Sequence, residues 1–395
     1  MLFQLLLAIL VGIFAGTITG LIPGIHINLI GIFIVSLSVS FLYPIHPIYL
    51  MTFIIAMAIA HTFIDFIPSV FLGCPDTDTE LSVLPGHELL KKGHGYQAII
   101  LTTYGSLAAI FILILIAFPS IILISKTYET IKTIIPFLLI FISLLLILLE
   151  KQKFPAIIVF SLTGLLGWSV LNFQNLNQPL LPLLTGLFGS SMLITSIKNK
   201  TQIPEQIISR PRTKIFKPLL GAIIASPLCS FLPGLGSGQA AIIGNTIFKT
   251  DQKGFLILLG ATNTLVMGFS FISLYIISKT RTGAAVAIQE IIKTLTYKNL
   301  ILILIIILIT GIISFFLTIF LAKFFSQKLT KINYTIISSI TLLILIIIVF
   351  LISGFFGILI LIASTLTGIY CISLKVRRSN MMGCLLIPTI IYYLF

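Results

Sequence analysis

The chain reads as an all-α polytopic membrane protein: two inverted repeats of about seven membrane segments each, with helices broken at Pro-Gly. Three observations predict this fold: an apolar composition arranged in long runs, a small-residue signature that occurs twice, and an uneven placement of Lys and Arg between the runs.

Apolar residues make up 58% of the chain and charged residues 9%. A soluble domain carries about 25% charged residues, so this sequence lacks the polar groups to cover a water-facing surface. Runs such as Leu300–Leu321 and Ile336–Leu351 are uninterrupted, and about 20 helical residues cross a ~30 Å hydrocarbon layer. Continuous rather than alternating hydrophobicity favours helices over a barrel, since a helix satisfies its own backbone in lipid. The net charge of +14 comes from basic residues in the gaps between runs, with no basic stripe or interleaved aromatics, so no nucleic-acid partner is expected. The opening MLFQLLLAILVG has no basic n-region or small-residue cleavage site and is read as a retained first helix. Cys74, Cys229, Cys371 and Cys384 show no Cys-x-x-Cys spacing and read as small buried residues rather than disulfide or metal partners.

Apolar segments fall at 2–22, 25–42, 48–72, 96–124, 131–149, 155–173 and 179–197, forming a first repeat over 1–197. The most polar stretch, 198–214, is a basic linker. The second repeat, 215–395, holds segments at 215–232, 235–248, 254–277, 299–322, 334–352, 354–374 and 380–395. Gly12, Gly16, Gly20 and Gly24, ending in Pro23-Gly24, are matched by Ala222, Ser226, Ser230 and Gly234, ending in Pro233-Gly234. Residues four apart share a helix face, and small residues there let helices approach closely in lipid.

An odd number of crossings per half inverts the second half. With the N-terminus outside, eighteen of the 24 Lys and Arg fall in inside gaps, including those of the linker. The outside gaps hold Lys126, Lys132, Lys279, Arg281, Lys293 and Lys298. This follows the positive-inside rule and predicts both termini outside, the linker cytoplasmic, and a multi-pass protein in the plasma membrane of a prokaryote. Inverted repeats around a midplane site are a recurrent plan of secondary transporters.

Pro-Gly within an apolar stretch breaks a helix, and the next segment then opens with free N–H groups that favour an anion. The residues there are Pro23, Gly24, His26 and Asn28 in the first half, and Pro233, Gly234, Gly236, Ser237 and Gly238 in the second. They are candidates for wrapping a small anionic ligand; the competing reading is a connecting turn. The loop Asp76-Thr77-Asp78-Thr79 aligns with Lys279-Thr280-Arg281-Thr282, so Lys279 and Arg281 are candidates to hold a carboxylate or to pair with Asp76 and Asp78. Two solvated loops would show the same residues. His61 and Asp65, four apart in an apolar segment, share a face and suit a proton or sodium relay. An Asp at bilayer depth costs roughly 2.5–3.5 kcal/mol on insertion scales, which favours a cavity-facing role over a snorkelling one. No metal-binding spacing and no catalytic residue set is present, and no cofactor is expected beyond sodium or a proton as coupling ion.

The stretches GTITGLIPG, FLGCPDTDTELSVLPGHELLKKGHGYQAI and SFLPGLGSGQAAIIG together resemble the large permease subunit of tripartite tricarboxylate transporters, the TctA family. The resemblance covers the first hundred residues and about 215–285. It implies cation-coupled uptake of citrate-like carboxylates with a small membrane subunit and an extracytoplasmic binding protein. The chain is short for such a permease, and Gly73-Cys74-Pro75-Asp76 stands where an Asn-x-Pro-Gly type turn is usual; both features look like a compact archaeal branch. Beside membrane lipid and a small organic anion, a second copy of the chain is a further partner to consider. The alternatives are an intramembrane enzyme acting on lipid or peptide, against which stands the lack of any known protease, hydrolase or phosphatase motif, and a channel.

Overall fold

The computed structural model describes residues 2–22, 45–73, 79–148, 150–173, 176, 178–198, 203–230, 236–278, 282–329, 334–376 and 378–394. Among these, every regular element is helical. Before the linker come α1 (Leu2–Leu21), α2 (Pro47–Phe71, turning at Asp65), α3 (Val83–Lys91), α4 (Gly95–Leu148), α5 (Lys153–Leu171) and α6 (Leu180–Lys198). After it come α7 (Phe216–Ser230), α8 (Ser237–Ile247), α9 (Gln252–Ile277), α10 (Gly283–Ile292), α11 (Tyr297–Leu329), α12 (Tyr334–Ser373) and α13 (Gly383–Leu394). Eight stretches among the described residues, in α1, α2, α4, α5, α6, α9, α11 and α12, are long and apolar enough to cross a membrane. The chain is a helical membrane protein.

The elements depart from the segment list where local physics outweighs hydropathy. The expected segment 25–42 lies outside the described residues. Segments 96–124 and 131–149 are joined by unbroken helical backbone, α4, with Pro119 and Pro136 inside it. They remain two apolar stretches, Gly95–Thr127 and Pro136–Leu148, and Leu146 lines the same cavity as Glu88 near the start of α4, so the chain turns back between them. Segments 334–352 and 354–374 also join, but at Gly354 the backbone turns to φ 64° and ψ −159°, a conformation open to glycine. The stretches after α2 and α9, read as loops from their polarity, contain the short helices α3 and α10. Each buries one apolar side: Leu89 and Leu90 in α3, and Ala284, Ala285, Ala287 and Ile288 in α10.

The first small-residue stripe sets a close crossing. Gly12 lies against Phe53 and Ala56, Gly16 against Met57 and Ala60, and Gly20 against Ile64, so α1 and α2 run in the same direction. A methyl group at Gly12 would come within 2.6 Å of the Phe53 carbonyl oxygen. In the second half Gly221, Ala222, Ala225, Ser226, Cys229 and Ser230 form the buried side of α7. That side packs on α8 and α9.

Across the halves, α4 packs on α9, α2 on α11, α5 on α13 and α6 on α12. At the α4–α9 contact Gly105 faces the backbone of Ile257, Gly260 faces the Thr102 carbonyl and Gly268 faces Leu113; the two helices run in the same direction. Ser106 Oγ donates to the Gly260 carbonyl at 3.0 Å across this seam. Against α11 the order reverses: Phe118 stands by Tyr297 at 6.1 Å between ring centroids, Ile110 by Gly311, and Tyr104 by Phe315 at 6.2 Å. Helices α4 and α11 are therefore antiparallel. So are α2 and α9, since α2 leads into α3, whose Glu88 accepts from Gln252 Nε2 at the start of α9 at 2.9 Å.

The linker docks beside the start of α4. Ile207 N donates to the Gly93 carbonyl at 2.7 Å, Gln206 Oε1 accepts from Gly95 N at 2.7 Å, and Gln97 Nε2 donates to Ser209 Oγ at 2.7 Å. Gly93 sits at φ 80°, and a Cβ there would meet the Glu205 carbonyl oxygen at 2.9 Å. The Lys91-Lys92-Gly93 stretch thus ends in a glycine that both the turn and the docked linker require.

Candidate transport site

The buried polar residues converge where α2 crosses α9. Helix α2 turns at Asp65 because Pro68 has no N–H to bond the carbonyl four residues back. Ser69 Oγ instead donates to the Asp65 carbonyl at 2.8 Å, which holds the two pieces of α2 in line. The turn aims the Asp65 side chain, 3% exposed, at α9. There Asn263 Nδ2 donates to Asp65 Oδ2 at 2.8 Å and reaches the Thr62 carbonyl at 3.4 Å. Leaving a buried acceptor of this kind without a donor would cost about 1–3 kcal/mol, a cost the Asn263 amide removes at Oδ2.

Beside it the Thr62 and Thr264 hydroxyls meet at 3.2 Å. Thr62 Oγ1 also donates to the Ile59 carbonyl at 2.9 Å; with its proton used there, Thr264 is the donor between the two. His61 turns toward α1, with its Nδ1 3.0 Å from Thr19 Oγ1. The sequence placed His61 and Asp65 on one face; the structure gives them contacts on two different neighbours, α1 and α9.

Matched hydroxyl pairs close the ends of the two central helices. Ser69 Oγ lies 2.7 Å from Thr79 Oγ1, and Ser270 Oγ lies 2.8 Å from Thr282 Oγ1. Thr79 and Thr282 are the last residues of the two stretches that align in the sequence. Thr282 also accepts from Ala285 N at 3.4 Å to start α10.

Of the other sequence candidates, Gly236, Ser237 and Gly238 are described. Gly236 stands extended before α8, its N–H donating to Gln239 Oε1 at 2.7 Å, and Ser237, Gly238 and Gln239 are buried. Pro23, Gly24, His26, Asn28, Asp76, Asp78, Pro233, Gly234, Lys279 and Arg281 lie outside the described residues. Asn263, Thr62, Thr264 and Thr19 were not singled out from the sequence. Their signal is present: Thr262-Asn263-Thr264 is a polar triplet inside an apolar segment, about two hundred residues after His61-Thr62. A scan for buried charge alone passes over it.

At the linker end a second polar region opens. A cavity of about 760 Å³ is bounded by α3, the α8–α9 turn and Arg378, with Glu88, Lys249, Asp251 and Ser379 in its lining. Burial pushes the Arg378 guanidinium down to about 10. Lys91 is lowered by burial and then by the Arg378 charge. His87, 1% exposed, is pushed down to about 4 by burial, then by Lys91.

With this geometry in place the comparison with known proteins is direct. The profile of the tripartite tricarboxylate transporter TctA family matches residues 6–383. The chain belongs to the TctA family. An uncharacterized protein of Methanocaldococcus jannaschii is 32% identical over 401 residues, spanning 98% of this chain and 99% of its own length. No solved structure matches. TctA proteins are members of tripartite transporters that work with a binding protein and a small subunit, so this TctA chain is a transport protein by family. Its polar crossing of α2 and α9 lies within helices long enough to span the bilayer.

Proposed function

We propose that this chain is the large permease of a secondary active transporter in the plasma membrane of a prokaryote, taking up a small organic anion such as a di- or tricarboxylate with sodium or proton entry. The observation that carries the reading is Asp65, a carboxylate deep among apolar helices and held by Asn263 from the other half of the chain. A charge retained at that depth marks an ion path, and an Asp–Asn contact between halves joins ion occupancy to their relative position. In this scheme His61 and Asp65, with Asp76 and Asp78, serve the cation. Backbone donors at Pro23-Gly24, His26, Asn28, Pro233-Gly234 and Gly236–Gly238, with Lys279 and Arg281, serve the anion.

The inverted-repeat reading is supported by two features. The antiparallel runs of α2 with α9 and of α4 with α11 are what an inverted pair requires, and cross-half packing comes in exchanged pairs, α2 with α11 against α9 with α4. The linker faces the cytoplasm in this reading, which agrees with Lys91, Lys92, Lys249 and Arg378 at the same end as the linker. A small membrane subunit and an extracytoplasmic binding protein are the partners the family brings.

The test is uptake of labelled citrate into proteoliposomes with and without sodium and proton gradients. Accumulation above the external level that stops when the gradient is collapsed is expected. Asp65→Asn should abolish it while leaving ligand binding and exchange. Gradient-independent equilibration would instead identify a channel, and chemical conversion of lipid or peptide an enzyme. Unimpaired accumulation in Asp65→Asn would assign that residue to structure.

A further inference from the structure

We propose that the cavity at the linker end is an oxyanion-binding site, anchored by Arg378 and assisted by Lys249 and the Ser379 hydroxyl, that takes a carboxylate or phosphate group. The site is separate from the crossing of α2 and α9 and does not rest on the transport reading.

The two acids of the cavity are engaged. Asp251 Oδ1 accepts from Gly254 N at 2.9 Å and caps α9, and Glu88 Oε2 accepts from Gln252 Nε2 at 2.9 Å. Among the cations, Lys91 feels the charge of Glu88 as well as that of Arg378. Among the described residues, Arg378 Nη2 donates only to the thioether sulfur of Met192, at 2.9 Å, a weak acceptor. Arg378 Nη1 is buried and has no hydrogen-bond partner among the described residues. Lys249 is exposed at the cavity wall and Lys91 adds a like charge nearby. A guanidinium presents five donors in a rigid planar fork. Burying part of it against sulfur, beside another cation, is unfavourable unless an anion completes it.

The chemistry of the missing partner follows from the fork. Planar bidentate donors match the two oxygens of a carboxylate or phosphate rather than a halide. A cavity of about 760 Å³ falls within the roughly 300–1,000 Å³ usual for small-ligand sites, which suits a multivalent anion with room for water. The N-terminus of α9 is not the anchor, since Asp251 already occupies it.

The test is calorimetric titration of the purified full chain, in neutral detergent, with inorganic phosphate and citrate against chloride at matched ionic strength. Saturable binding of phosphate, absent with chloride, is expected. Arg378→Ala should weaken it at least about tenfold, and Lys249→Ala by a smaller factor. Mass spectrometry of retained phospholipid separates the two sources of the group. Lipid retained by the wild type and lost in Arg378→Ala, with free phosphate binding only after delipidation, identifies a headgroup as the occupant. Should Arg378→Ala fail to fold, Arg378→Lys decides, because it keeps the charge and removes the fork. Unchanged phosphate and citrate affinity in Arg378→Lys, or a wild type that binds neither phosphate, citrate nor phospholipid, overturns the site.

Discussion

Among the described residues, ionisable groups enter the interior of this protein at two places, and these are built in opposite ways. At the crossing of α2 and α9 the carboxylate of Asp65 is taken up by an amide from the other half, threonine hydroxyls pair beside it, and glycines bring neighbouring backbones into contact. At the linker end the acids are already bonded to backbone or amide donors, while Arg378 keeps a buried nitrogen without a partner among the described residues. The first arrangement is closed and uses packing to hold a polar group at depth. The second is open and leaves positive charge to be completed from outside.

Packing at the α4–α9 seam, beside the crossing, is the place where a single change should cost most. Gly260 leaves no room for a side chain, because any Cβ there collides with the Thr102 backbone. Gly260→Leu should destabilise the protein by about 3 kcal/mol or more through overpacking, read as lost yield and a lowered melting temperature in detergent. A variant that melts with the wild type would mean that the α4–α9 seam yields easily and that the two regions differ less than the geometry implies.

Acid should act at the linker end. His87 has a pKa of about 4 in the fold against 6.5 for the free side chain. It is thus neutral when folded, while the unfolded chain takes up a proton as pH falls through 6.5. The stability it supports is complete above about pH 6.5 and is lost on the way down to about pH 4, on the order of 3 kcal/mol in all. His87→Gln should flatten the pH dependence of melting across that window. An unchanged slope would place the acid sensitivity elsewhere.

The smallest expected effect compares the two halves directly. Ser69→Ala and Ser270→Ala each remove one hydroxyl pair at the end of a central helix and should cost about 1 kcal/mol apiece, measured as melting shifts. Similar shifts would strengthen the correspondence of the halves. A large effect of Ser69→Ala alone is the sharper outcome, since Ser69 also bonds the carbonyl of Asp65 and supports the turn at Pro68.

How much of this was legible beforehand differs from residue to residue. The stripe of Gly12, Gly16 and Gly20 announced a close helix pair because small residues at a spacing of four leave only one geometry, backbone against backbone. The boundary between the apolar runs 334–352 and 354–374 falls where the backbone turns, at Gly354. The short helices α3 and α10 were hidden by their polar neighbours, since ten residues carry too little periodicity to stand out from a loop. Asn263 was hidden for a different reason. An amide in an apolar segment carries no charge and no motif, and it becomes a partner of Asp65 only once α9 is laid across α2.

By itself, then, the sequence determined the solvent and the local backbone: a chain with 9% charged residues belongs in lipid, hydrophobic runs of span length become helices there, and glycine and proline dictate where those helices touch or turn. Each of these follows from the energetics of a few neighbouring residues. Only the tertiary structure decided which helices of one half meet which of the other, that Asp65 is held by Asn263, and that Arg378 stands by a cavity with its acids already engaged. Those are contacts between residues roughly 150 to 200 or more positions apart, or between α3 and a turn near residue 378. Their energies depend on distances that no local pattern contains.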